Sequence, residues 1–135
     1  MKSKKVILDT NIWISFLITN HHSPLDDLLF NGKVKLIFSK ELIEEFLSVA
    51  KRSKFEKYFA DNDIHELLQL FDSFGELVDV SSEISECRDS KDNFLLNLAV
   101  DSKADFLITG DDDLLTIKKI NKTRILNWTD FLKEI

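Results

Sequence analysis

The sequence predicts a three-layer α/β/α fold around a central, mostly parallel sheet of about five strands. Three observations carry that expectation. Short apolar runs without polar alternation recur along the chain, as strands buried on both faces require. Segments with apolar residues at the helical period separate them. Several of the runs stop abruptly in carboxylates, amides or hydroxyls. With 135 residues, 44% hydrophobic and 31% charged, the chain suits one globular domain over residues 1–135. No repeat, low-complexity tract or linker divides it.

The first strand is Val6-Ile7-Leu8, and it ends in Asp9-Thr10-Asn11. The apolar run at 12–17 then starts a helix, for which Asp9 is a plausible cap. Asn20-His21-His22-Ser23 reads as a polar loop, and the histidine pair lacks the one-turn spacing of a usual ligand pair. Ser23-Pro24 opens a short helix over 24–30, which Asn31-Gly32 closes. Residues 34–38 form the second strand, and Ser39 is placed to cap a helix over 40–51. In that helix Leu42, Ile43, Phe46, Leu47 and Ala50 make an apolar stripe, with Glu45 on its shoulder and Glu44 pointing away.

Residues 52–75 carry apolar positions for one or two more helices, and Lys51, Arg52, Lys54 and Lys57 form a basic cluster there. A strand at 76–80, possible at a sheet edge, precedes a polar segment that runs to Asp92. Asp92 opens an amphipathic helix with Phe94, Leu95, Leu98 and Ala99 on one side, where a first-turn carboxylate is favoured by the helix dipole. A buried strand at 105–109 runs into Gly110-Asp111-Asp112-Asp113, with the glycine permitting a tight turn. A last strand at 123–127 and a helix over 128–135 complete the chain.

Net charge is −6, from 24 acidic and 18 basic residues. Such a balance disfavours strong nonspecific nucleic-acid binding, which depends on Lys and Arg at phosphates. It is compatible with an acidic site that needs a cation before it meets a polyanion. The single cysteine, Cys87, cannot form an intramolecular disulfide, which points to a reducing compartment. No run approaches the roughly 20 apolar residues of a membrane span. No signal-peptide pattern precedes the first strand. A cytoplasmic protein without membrane contact is the expectation.

In a parallel α/β sheet, ligands bind beyond the carboxyl ends of the strands. Asp9 and Asp111 would both lie at that edge, Asp92 would begin a helix there, and Glu45 would lean over from the helix after the second strand. Carboxylates crowded in a small volume must take up protons or share a cation. Oxygen-only ligation favours a hard ion, Mg²⁺ or Mn²⁺. Such a site suits metal-assisted attack of water on a phosphodiester.

Residues 6–11, 39–46, 89–99 and 109–115 together resemble a PIN domain, specifically the VapC-type toxin of a type II toxin–antitoxin pair. Leu107-Ile108-Thr109-Gly110-Asp111-Asp112-Asp113-Leu114-Leu115 is the most distinctive piece. The resemblance implies a metal-dependent endoribonuclease with an RNA substrate, an antitoxin partner and a homodimeric state. It implies Asp9, Glu45, Asp92 and Asp111 as the acidic quartet and Asp113 as a fifth acid. Of these, Asp9, Asp92 and Asp111 would bind Mg²⁺ or Mn²⁺. Thr10, Asn11, Ser39 and Thr109 match the polar residues that support the quartet. Glu45 is preferred to Glu44 for its place six residues after Ser39, and Asp92 to Asp89 because it adjoins the apolar helix.

Two other classes share some of these features. A receiver-type phosphoacceptor domain also sets carboxylates at a sheet edge, but needs an acidic pair at the first strand and a late lysine at a strand end. A PIN-like fold acting only as a protein-binding module would tolerate loss of the acids, and all of them are present.

Overall fold

In chain order the elements are β1 (Lys4–Leu8), α1 (Thr10–Thr19), β2 (Val34–Phe38), α2 (Lys40–Ala50), β3 (Gly75–Leu77), α3 (Asn93–Ser102), β4 (Phe106–Ile108), α4 (Asp112–Leu115), β5 (Lys119–Ile120), β6 (Thr123–Leu126) and α5 (Trp128–Glu134). The computed structural model describes residues 3–19, 31–51, 75–80 and 93–134, with residues 27 and 69 besides. The expected helices at 24–30 and within 52–75 fall largely outside the described residues, as do the basic cluster beyond Lys51, the histidine pair and Cys87.

The strands form one sheet in the order β3-β2-β1-β4-β6-β5. All neighbours are parallel except β5 and β6. Val6, Ile7 and Leu8 are consecutive and all buried, as are Leu36, Ile37 and Phe38 in β2 and Phe106, Leu107 and Ile108 in β4. Successive side chains of a strand point to opposite faces, so burial of three in a row means that both faces are covered. That is the three-layer arrangement the apolar runs predict. Each such side chain taken from water contributes about 2 kcal/mol before the cost of ordering it.

Helix boundaries follow local chemistry. Ser39 caps α2, its Oγ accepting the Leu42 amide at 3.1 Å. From α2, Leu42, Phe46 and Val49 enter the core. From α3 come Leu95, Leu96, Leu98 and Ala99. On α5, Phe131 meets the Phe106 ring edge-on at 5.3 Å and Trp128 at 5.5 Å. Gly32, with φ +71, makes the left-handed turn expected of Asn31-Gly32.

Two features were not expected. β5 is a sixth strand, a two-residue partner that pairs antiparallel with β6 across Asn121 and Lys122. A two-residue strand has no periodicity to detect; only Asn121, at φ 50, betrays the hairpin. α4 is likewise a single turn, in a stretch where the sequence predicts no helix. The strand order also separates this sheet from a receiver, whose flavodoxin-like sheet runs β2-β1-β3-β4-β5.

At the amino ends of the strands, Asp105 fastens β1 to β4. Its Oδ2 accepts the Lys5 amide at 2.9 Å, its own amide donates to the Lys5 carbonyl, and its Oδ1 lies 3.5 Å from the Lys122 ammonium. Replacing a half-buried carboxylate that accepts a main-chain amide leaves that donor without its partner. Asp105→Ala is expected to lose about 1.5 kcal/mol in urea unfolding, with an unchanged slope.

Candidate active site at the switch point of the sheet

The chain adds β2 and then β3 on one side of β1, and next crosses to the other side to lay down β4. The carboxyl ends of β1 and β4 therefore flank the point where the order reverses, which is where open α/β sheets hold their ligands. The parallel register pairs Leu8 with Ile108, so the residues after them, Asp9 and Thr109, emerge side by side.

Asp9 is only 4% exposed. Its main-chain carbonyl accepts the Ile12 and Trp13 amides, so it does cap α1, which starts two residues before the apolar run. Its carboxylate accepts the Thr109 hydroxyl at 2.8 Å and the amides of Asn11 and Thr10. The capping reading and the site reading are both satisfied by one residue. Burial pushes the Asp9 carboxyl above its ordinary value, and the nearby Asp111 charge pushes it further; the Thr109, Asn11 and Thr10 hydrogen bonds oppose this without cancelling it.

Thr109 is wholly buried and stands between the two acids. It donates its one proton to Asp9 and accepts the Asp111 amide at 3.1 Å. Asp111 is in turn held by α4, whose N-cap it is, its Oδ1 accepting the Asp113 amide at 2.9 Å. The turn between β4 and α4 is thus shaped by hydroxyl and carboxylate bonds. Gly110 has no left-handed φ, and a Cβ there would meet nothing within 4 Å, so the glycine is not sterically required.

The other expected site residues divide by position. Asp113 is half-buried on the first turn of α4, and Glu45 is half-buried on α2. Ser39 spends its hydroxyl on the α2 cap. Asn11 is exposed and serves Asp9 through its main-chain amide. Thr10 is buried beside Asp9, and its Oγ1 makes no hydrogen bond. Asp92 and its alternative Asp89 lie outside the described residues. Among the described residues no group of three potential ligands closes around one point.

The donors present suit a hard divalent cation. Asp9 and Asp111 offer carboxylate oxygens, and the Asp111 charge adds to what burial does to Asp9. The next residue after Asp9, Thr10, has a buried hydroxyl for which the described residues show no hydrogen bond.

A family profile described as PIN domain matches residues 5–113. The chain belongs to the PIN domain family. The match runs from β1 through the first turn of α4 and so includes both acids. This PIN domain is 34% identical over 126 residues to an uncharacterized protein, MJ1680, of Methanocaldococcus jannaschii, covering 91% of this chain and 81% of that one. Its fold is similar to a chain in the crystal structure of VapBC2 from Rickettsia felis bound to a DNA fragment from their promoter. The TM-score is 0.56 at 21% identity, over 92% of this chain and 98% of that one.

The raised Asp9 value has a consequence for stability. A carboxyl that holds its proton more tightly when folded makes the fold lose stability as pH rises from the ordinary 3.8 through the raised value. At neutral pH the ionised group is a cost. In chelator at pH 7.5, Asp9→Asn is expected to unfold a few degrees above the parent protein, for about 1 kcal/mol, with the gap closing toward pH 4. Thermal scans across that range check it.

Proposed function

We propose that this PIN domain is a divalent-metal-dependent endoribonuclease and the toxin of a toxin–antitoxin pair. One observation carries the reading. A buried carboxylate, Asp9, is tied through the Thr109 hydroxyl to the main-chain amide of a second acid, Asp111, at the switch point of a parallel sheet. A fold does not bury a charge against another of like sign for stability's sake.

In this reading Asp9 and Asp111 hold Mg²⁺ or Mn²⁺ together with Asp92, and Glu45 and Asp113 orient the ion or the attacking water. When bound, the ion supplies positive charge against a phosphate oxygen and lowers the pKa of the attacking water. The protein's own part is orientation. The Thr109 hydroxyl points one Asp9 oxygen, and its lone pair anchors the Asp111 main chain, so one hydroxyl ties the Asp9 side chain to the start of the turn that carries Asp111. The α1 amides at Thr10 and Asn11 bias Asp9 toward its ionised, ligating form. In this reading Asp113, on the same turn as Asp111, acts on the attacking water. Thr10, Asn11 and Ser39 complete the supporting set, Ser39 by fixing where α2, and with it Glu45, begins.

The VapBC2 likeness supports a cognate antitoxin as partner, and family likeness supports a homodimer. RNA as the substrate follows from the family resemblance and from oxygen-ligated metal chemistry. No described helix is long and apolar enough to cross a membrane; residence in the cytoplasm fits the lone cysteine.

Two variants test the reading. Purified protein incubated with assorted RNAs should cleave with Mg²⁺ or Mn²⁺ and fail in chelator. Asp9→Asn should abolish cleavage and the Mn²⁺-induced thermal shift while its circular dichroism is retained. Thr109→Val should cost about 10–100-fold in metal affinity or rate, as loss of a residue that orients a ligand does. Cleavage by Asp9→Asn at the parent rate would remove the assignment.

A further inference from the structure

The sheet edge opposite the acids has the opposite charge. The register Lys4↔Val34 places Lys33 one residue before the level of Lys4, and the main chains are joined there by the Lys4 amide on the Lys33 carbonyl at 2.9 Å. Continuing Val6↔Phe106 and Phe106↔Arg124 backwards brings Ala104 and Lys122 level with Lys4, with Lys103 one residue earlier. Of four adjacent parallel strands, β2, β1 and β6 therefore begin at a lysine or directly after one, and Lys103 lies on the turn that leads from α3 into the fourth, β4, three residues before it. All four of Lys33, Lys4, Lys103 and Lys122 are exposed. At about 4.8 Å between strands, the row spans about 14 Å.

Lys103 adds a second observation. It sits just after α3 at φ 56, the left-handed conformation in which glycine or asparagine is the usual choice. A long cationic side chain is held in a backbone conformation that disfavours it. The negative end of α3 stabilises one cation there, but not the lysines of the three neighbouring strands. Asp105 lies within the row, with its carboxylate shared between the Lys5 amide and Lys122.

We infer that this basic edge is a second nucleic-acid surface, binding the phosphate backbone of single-stranded RNA away from the acidic edge. A phosphate backbone is favoured over an acidic protein because the row offers charge without apolar anchorage. Among the described residues the exposed large hydrophobic side chains are Leu77, at the carboxyl end of β3, and Leu132, on α5, neither of them in the row. Protein interfaces are built around buried apolar centres, whereas backbone binding needs only spaced cations. In a chain of net charge −6, such a row sets a local positive potential against the overall charge. The inference does not rest on cleavage, because the surface lies at the other end of the strands.

The test uses the full chain and a fluorescein-labelled, unstructured single-stranded RNA, read by anisotropy in chelator over a series of salt concentrations. Chelator silences any metal-dependent cleavage, so binding is read whether or not the acidic edge is a nuclease site. The triple variant Lys4→Gln, Lys33→Gln, Lys103→Gln should bind at least about tenfold more weakly and lower the log–log salt slope by about 2, near 0.7 per lost phosphate contact. A control triple on the helices, Lys40→Gln, Lys51→Gln, Lys133→Gln, should change neither. Lys103→Gly, which relieves the backbone, should raise the unfolding midpoint and still weaken binding, a combination that a purely structural lysine would not give. Binding by the first triple variant with the parent affinity and slope would overturn the inference. So would competition by polyglutamate as effective as that by RNA at equal charge.

Discussion

The parallel pairing of β1 with β4 is the constraint on which the rest of this protein depends. These two strands are distant in sequence and adjacent at the centre of the sheet, with both faces of each covered. Their register decides which residues share the carboxyl edge. A slip of one residue would exchange side chains between two covered faces, so the fit of particular side chains on each face, not burial alone, holds the register. That packing sets Asp9 beside Thr109, and the hydrogen bond between them costs little further ordering. Packing energy, which is nonspecific in its chemistry, is converted here into placement of a carboxylate to within bonding distance.

The two ends of the strands carry opposite solutions to the problem of charge. At the carboxyl end, Asp9 is buried and raised, and its neighbours oppose that only in part. At the amino end, the half-buried Asp105 is engaged by a main-chain amide and a lysine. A carboxylate kept for structure is neutralised by its surroundings. One that stays destabilised in its surroundings is better explained by something it binds. The contrast within a single sheet is what distinguishes Asp9 from Asp105.

Much of the architecture was legible in the chain because its signals are local. Val6-Ile7-Leu8 and Phe106-Leu107-Ile108 announce doubly buried strands, and the α2 stripe and the Ser39 cap announce a helix whose limits are nearly those observed. Asp9 and Asp111 stood out because one follows such a strand at once and the other comes within three residues of one. β5 and α4 were missed for the complementary reason: two or four residues are too few to show a period, and tertiary contact with β6 rather than propensity makes them regular.

The tertiary structure decided matters that no local pattern contains. Thr109 was legible as a polar neighbour, but its place between the two acids, giving its proton to one and receiving an amide from the other, exists only once β1 and β4 are paired. Gly110, conspicuous in the sequence, turned out to carry no steric burden. The lysines at 4, 33, 103 and 122 are scattered among others along the chain and become a row only through strand order and register. Sequence by itself determined the fold class and singled out candidate acids, since hydrophobic period and residue chemistry act over a few neighbours. Which acids meet, through which hydroxyl, and which cations line up depends on contacts a hundred residues apart, and those are set by the packing of the whole sheet.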